Sequence, residues 1–342
     1  MGQLSLGLDI GHKQIKGVQV EGKRGGVRLR SHAVVDTPAG ALVRGRVENA
    51  ERLVTVLKKM VEEHGWNKGT TTLGLTHPEM VVKRVEFPLM SPKDLASALE
   101  FELADLVSFS FSDPADVAYS FQVIDKASET QDLLFAGCPR GLIMPYVHAA
   151  RAAGLEVAVV DVKALSLPRT LEEDGEFAFV DLGHVQSNVY VELSGKFRLS
   201  RILPVGGMHF TEGIMEAYGI NQEEAEKLKH EETMDDLIAK AERNPGTLRT
   251  AVQQLIAGVT QTLDYLRAME RVTTVDQLLN GIRICGGGAA QRGLANLMRD
   301  ELDLPVAILN PFLTFDKEQE NYGRSALFAG AAGLACRGLE RE

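Results

Sequence analysis

Apolar positions near the start of the chain fall into two β-like runs, Leu4 to Ile10 and Ile15 to Glu21. The connection Gly11-His12-Lys13-Gln14 predicts a hairpin between them. The period then lengthens. Leu53, Val56, Leu57, Met60 and Val61 recur at helical spacing, so Ala50 to Gly65 is expected to be a helix with Gly65 as its C-cap. A strand is expected at Thr71 to Leu75.

From His77 the pattern changes. Val81 to Phe87 reads as a strand, "SPKDLASALEFELADLV" as a helix capped at Ser91, and Val117 to Ile124 and Leu133 to Cys138 as strands with an exposed turn at Glu129 to Gln131. Leu142 to Ala153 closes the unit as a helix ended by Gly154. Residues 77–155 therefore read as a small α+β insertion in a larger domain.

A second hairpin follows, "FAFVDLG" and "SNVYVEL", with "GKFRLSRILPVGG" as a third strand and Phe210 to Tyr218 as a helix. Residues 221–245 are charged and helical, Thr247 to Arg271 is a long amphipathic helix, and "IRICGGG" is a strand running into a glycine turn. Ala289 to Glu301 and the Ala/Gly-rich "SALFAGAAGLACRGL" are expected to be helices. Each half opens on a hairpin with an Asp-Φ-Gly turn, "LDIG" and "VDLG", an internal repeat that suggests two duplicated lobes around a cleft.

Composition narrows the partners. The 342 residues carry 37 basic and 47 acidic side chains, a net charge of −10, opposite to what holds a phosphate backbone, so nucleic acid is not expected. Cys138, Cys285 and Cys336 are an odd number with no CxxC spacing, which argues against a disulfide framework and a zinc site; each reads as a small buried hydrophobe. Asp9 interrupts the first apolar stretch too early for a signal peptide, and no run reaches the roughly 18 apolar residues of a membrane span. The chain is expected in the cytosol, with any membrane association borrowed from a partner.

The candidate chemistry sits at the turns. Asp9 ends a strand and Gly11 allows a tight turn whose N–H groups can face an anion; a bland β-turn uses the same residues. Asp181 and Gly183 repeat the device, with Ser187 and Asn188 as donors to a phosphate. Gly286, Gly287 and Gly288 lie between a strand and a helix, where absent side chains admit a ligand or simply allow close packing. The sequence has no GxxxxGK[ST] loop and no HExxH.

Hairpin, hairpin and strand-GGG-helix in that order resemble the actin, Hsp70 and hexokinase superfamily. "LGLDIG" with Lys16, "VEFPLMSPKDLASALEFELADLVSF", "RILPVGGMHFTEGI" with "GINQEEAEKLK", "ICGGGA", "LNPF" and "AAGLACRG" resemble, nearly end to end, the PilM family of actin-like type IV pilus assembly proteins, related to the cell-division protein FtsA.

The resemblance implies a two-lobed α/β actin-like, ribonuclease H-like ATPase fold with residues 77–155 as a 1C-type α+β subdomain. Residues 1–76, 156–172 and 316–342 would form subdomain 1A, 173–220 and 282–315 subdomain 2A, and 221–281 subdomain 2B. By position it assigns Asp9 and Asp181 to Mg²⁺ through water, Gly11 and Lys16 to the phosphates of ATP or ADP, and Gly183, Ser187, Gly286, Gly287 and Gly288 to the rest of the cradle. Glu226 and Lys229 resemble a ribose-side pair, although a solvated charged helix has the same pattern.

The implied partner is the N-terminal cytoplasmic peptide of a PilN-type inner-membrane protein, with self-assembly as a further use of the insertion. The chain would then be peripheral at the inner face of the membrane. An actin-like module of a type II secretion system is the alternative, and a small-molecule kinase would need a substrate motif that is not found. His12 and His184 stand where the family has small residues. No motif places a general base, so the expected ATPase activity is slow at most. Phe109 and Phe111 could anchor a partner or plug the insertion.

Overall fold

Strand β1 (Gln3–Ile10) is buried from Ser5 to Ile10 because both of its faces are covered: Leu6, Leu8 and Ile10 enter the first-lobe core, while Gly7 on the opposite face lies against the backbone of Ala331. The computed structural model describes residues 2–23, 26–241, 246–315 and 324–340. β2 (Gln14–Lys23) pairs antiparallel with β1 and then with β3 (Gly26–Asp36). The sequence reading did not anticipate β3. It is an edge strand in which exposed Arg28 and Arg30 alternate with Val27 and Leu29, and its apolar positions are only partly buried. The short ribbon β4 (Leu42–Val43) and β5 (Arg46–Val47) leads to α1 (Ala50–His64). Asn49 caps α1 by accepting from Arg52 N at 3.0 Å, and Gly65 ends it in the left-handed conformation, as expected. β6 (Thr70–Leu75) returns parallel to β1.

The insertion contributes β7 (Val81–Pro88), α2 (Pro92–Phe101), α3 (Leu103–Leu106), β8 (Val117–Lys126) and β9 (Thr130–Pro139), with sheet order β7-β9-β8. The turn expected at Glu129 to Gln131 lies two residues earlier, at residues 127–129 between β8 and β9. Gln131 is only 2% exposed, lies within β9 and donates through Nε2 to Pro88 O at 3.1 Å. Leu95, Leu99 and Leu103 fill the insertion's own core with Phe87, Leu133 and Phe135, and Phe109 and Phe111 pack against it as plugs. Helix α4 (Arg140–Ala152) turns away from that core and buries Tyr146, Val147, Ala149 and Ala150 in the first lobe.

After α4, β10 (Glu156–Val162) pairs parallel with β6, giving the first sheet the order β10-β6-β1-β2-β3. The second lobe repeats this plan. β11 (Phe177–Leu182), β12 (Ser187–Leu193) and β13 (Lys196–Leu203) form the antiparallel half. Helices α5 (Gly207–Tyr218), α6 (Gln222–Glu231), α7 (Met234–Ala239) and α8 (Gly246–Glu270) follow. The charged stretch of residues 221–245 is thus two helices in its described part; residues 242–245 lie outside the described residues. β14 (Gly281–Cys285), α9 (Leu294–Leu302) and β15 (Val306–Ile308) complete the order β13-β12-β11-β14-β15, with β14 and β15 parallel. The internal repeat is therefore one of whole sheets.

Helix α10 (Ala329–Arg337) is buried along most of its length, which explains its composition. A Cβ at Gly333 would collide with the backbone of Ser166, so the helix can approach its neighbours only with small residues. The insertion also touches the second lobe. Val82, Leu134 and Ala136 pack on an aromatic group of Phe179, Tyr190 and Phe197, and Lys196 Nζ donates to Asp125 Oδ2 at 2.8 Å. Among the described residues no helix is long and apolar enough to cross a membrane.

Candidate functional site

The two hairpin turns are the same structure built twice. Gly11 N donates to Gln14 O at 3.0 Å, and Gly183 N donates to Gln186 O at 3.1 Å. Their sequences, Gly11-His12-Lys13-Gln14 and Gly183-His184-Val185-Gln186, share Gly, His and Gln at equivalent places. Asp9 precedes the first turn, opposite Lys16 on β2, and Asp181 precedes the second, opposite Asn188 on β12. Both carboxylates sit at the carboxyl ends of central strands, where open α/β sheets place their ligands. They border a cleft of about 480 Å³ that is also lined by Gly286, Gly287 and Gly288.

The group that ties the site together was absent from the sequence reading. Lys163, at the end of β10, places Nζ 2.7 Å from Asp181 Oδ2 and 3.6 Å from Asp9 Oδ2. Lys16 Nζ donates to Asp9 Oδ2 at 3.3 Å. Burial alone would raise the Asp9 pKa, but Lys16 and Lys163 hold it below the usual carboxylate range. Burial opposes the Lys163 charge, and the two aspartates override it and raise its pKa. The signal was weak: Asp-Val-Lys after an apolar run is informative only once β10 is known to be the fifth strand of the sheet.

Around this floor, Gly286 has a φ of 83° and lies against the Asp181 carboxylate and Leu182 O, a place only glycine can hold. A Cβ at Gly287 would meet only Leu327, at 3.5 Å, so the strand-to-helix turn is open on that side. Ser187 lines the cleft, but its hydroxyl donates to Val205 O at 2.6 Å. Glu226 and Lys229 form the far wall. Lys229 Nζ donates to Glu226 Oε1 at 2.9 Å and to Thr211 Oγ1 at 2.7 Å, and Lys229 is 8% exposed. The solvated positions of α6 are Gln222, Glu223, Glu224, Lys227 and Glu231 instead. Burial would raise the Glu226 pKa, but hydrogen bonds from Lys229 and Thr211 and the charge of Lys229 bring it down to about 2.

Both histidines face the cleft and are kept neutral. Burial, then the Lys13 charge, lowers His184 to about 4; burial, then Lys163, lowers His12. Cys138 and Cys285 are buried and Cys336 is half-buried. Burial pushes the Cys138 and Cys336 thiols up to about 12, so they pack rather than react.

A polyphosphate suits this chemistry. Lys13, Lys16 and Lys163 line a cleft of nucleotide size between two tight turns. A divalent cation held by Asp9 and Asp181 does not fit the same arrangement, because the ammonium of Lys163 already lies against both carboxylates. Among the described residues no group of three or more His, Cys, Asp or Glu side chains is placed to hold a metal.

Comparison with known proteins agrees with this architecture. A solved PilM-PilN type IV pilus biogenesis complex superposes with a TM-score of 0.82 and 25% identity, over 98% of this chain and 99% of the other. The ethanolamine utilization protein EutJ of Carboxydothermus hydrogenoformans (TM-score 0.60, 15% identity, 98% and 90% covered) and MreB 5 of Spiroplasma citri bound to AMPPNP (0.52, 15%, 93% and 96%) share the fold. Cell division protein FtsA of Bacillus subtilis (strain 168) is 23% identical over 200 residues, 54% of this chain. The match spans 45% of that relative's length. The family model described as type IV pilus assembly protein PilM matches residues 7–339, and with both lobes, the insertion and the paired hairpins in place, the chain belongs to the PilM family of actin-like type IV pilus assembly proteins.

Proposed function

We propose that this chain is a nucleotide-binding scaffold that holds a PilN-type inner-membrane protein at the cytoplasmic face of a type IV pilus machine. The observation that carries this reading is the likeness to the PilM–PilN complex over nearly the full length of both chains. The partner's N-terminal cytoplasmic peptide would dock between the first lobe and residues 77–155. There a cavity of about 700 Å³ runs between Thr76, His77 and Val162 on one side and Val81, Lys83 and Val107 on the other, with Ser200 and Ile202 of the second lobe as its far wall. An edge strand such as β7 can recruit an extended peptide through main-chain hydrogen bonds. Leu95, Leu99 and Leu103 take no part, since they are spent in the insertion's core.

ATP or ADP would lie between the lobes, its phosphates toward Gly11, Lys16, Gly183 and Gly286 to Gly288 and its ribose toward Glu226 and Lys229. It acts as a structural ligand or slow switch, and Mg²⁺ is left out of this reading because Lys163 holds both aspartates. The chain would be cytoplasmic and peripheral to the membrane through its partner. The family match favours the pilus machine over a type II secretion module. Hydrogen exchange with and without the PilN-type N-terminal peptide tests the partner. Protection is expected in residues 77–155 and in the facing part of the first lobe; protection confined to the second lobe, or none at saturating peptide, refutes it.

A further inference from the structure

We infer that Lys163 is the built-in counter-charge of this site and that the chain binds nucleoside polyphosphates without needing a divalent cation. The inference rests on the nucleotide reading above and adds a residue and a cofactor independence to it. Lys163 reaches both lobes, 2.7 Å to Asp181 and 3.6 Å to Asp9, at 14% side-chain exposure. With Lys16 at 3.3 Å from Asp9, two carboxylates meet two ammonium groups, so the floor of the cleft is neutral before any ligand arrives. A divalent cation between the two aspartates would do this same work. Here it would have to expel an ammonium from a largely desolvated ion pair, and breaking one side of such a pair is costly.

The path of the side chain makes that displacement harder. Lys163 opens a short 3₁₀ turn, Lys163–Thr170, that packs beneath α10. Its stem runs over Gly330, where a Cβ would meet Lys163 Cδ at 2.8 Å and Cγ at 3.0 Å. The absent side chain at 330 is therefore the slot that aims the ammonium at the aspartates. Within it the stem has little room to swing away and leave both carboxylates to a hydrated cation.

Titration calorimetry of the full chain with ATP, once in EDTA and once in excess MgCl₂, tests this, alongside Lys163→Gln, which keeps an N–H donor for Asp181 and removes the charge. Wild-type affinities are expected to agree within about threefold. Lys163→Gln is expected to bind at least about tenfold more weakly in EDTA and to recover with Mg²⁺. Should Lys163→Gln fail to fold by circular dichroism, Gly330→Ala, which crowds the stem and leaves the charge in the chain, is expected to shift the same way by a smaller factor. Wild-type binding that is tenfold or more tighter with Mg²⁺ overturns the inference and leaves the nucleotide reading standing. Absence of binding in both buffers overturns both.

Discussion

Lys13, in the turn of the first-lobe hairpin, reaches across the cleft to Glu226 on α6 of the second lobe, with Nζ 3.0 Å from Oε2. The pair links the lobes over the mouth of the site. At 40% and 19% side-chain exposure it is worth at most about 1 kcal/mol. Lys13→Met is therefore expected to leave the melting temperature nearly unchanged while weakening ATP binding by up to about fivefold, mostly through faster release. Stopped-flow dissociation of a fluorescent ATP analogue measures it, and an unchanged off-rate would show that the latch does not hold the cleft.

Acid should unfold the second lobe in two stages. His184 has a folded pKa of about 4, below its ordinary 6.5, so the unfolded chain takes up the proton first and stability is lost as pH falls from 6.5 towards 4. Glu226 has a folded pKa of about 2 against an ordinary 4.5, so its contribution is full above 4.5 and disappears as pH falls towards 2. His184→Asn is expected to flatten the upper part of a plot of melting temperature against pH, and Glu226→Gln the lower part. His230 on α6, and His12, His32 and His77 in the first lobe, are shifted the same way, so the first flattening will be partial.

Gly286→Ala is expected to destabilise the chain by about 1–3 kcal/mol, since alanine is strained at φ 83° and its Cβ meets the Asp181 carboxylate and Leu182 O. ATP binding should fall with it. Chemical denaturation reads the first effect and calorimetry the second; an unchanged denaturation midpoint would contradict the close packing of Gly286 on Asp181 and Leu182.

Two neighbouring residues of the insertion should behave oppositely. Leu99 is fully buried, so Leu99→Ala is expected to cost about 2–5 kcal/mol of local stability and to weaken capture of the partner peptide indirectly. Phe101 is 90% exposed, and Phe101→Ser should change stability by less than about 0.5 kcal/mol. Hydrogen exchange across residues 77–155 separates the two; rapid exchange in both variants would mean that α2 packs differently.

The hairpins, helix α1 with its Gly65 cap, the Ser91-capped helix and the glycine turn were legible because each is written in consecutive residues: an apolar run, an Asp-Φ-Gly turn, a Ser cap, a terminal Gly. β3 was missed because, at the sheet edge, its apolar residues Val27, Leu29, Ala33 and Val35 are only partly buried and are interleaved with Arg28, Arg30, Ser31 and His32. β10 was missed because, among the described residues, it pairs only with β6, some eighty residues earlier and beyond the whole insertion. That second omission concealed Lys163. A lysine after an apolar run is ordinary until the strand is known to end beside Asp9.

By itself the sequence determined the repeat, the paired aspartates and the glycine turn after β14, since turn geometry and strand ends depend on local covalent and steric rules. Tertiary structure alone decided which charges meet. It set Lys163 between aspartates drawn from different lobes, joined Lys13 to Glu226 across the cleft, and turned the Ser187 hydroxyl to Val205. It also placed Leu95, Leu99 and Leu103 in the insertion's own core. The reason is physical: an ion pair or a buried contact depends on distance and desolvation between groups far apart in the chain, and no local pattern of residues encodes that distance.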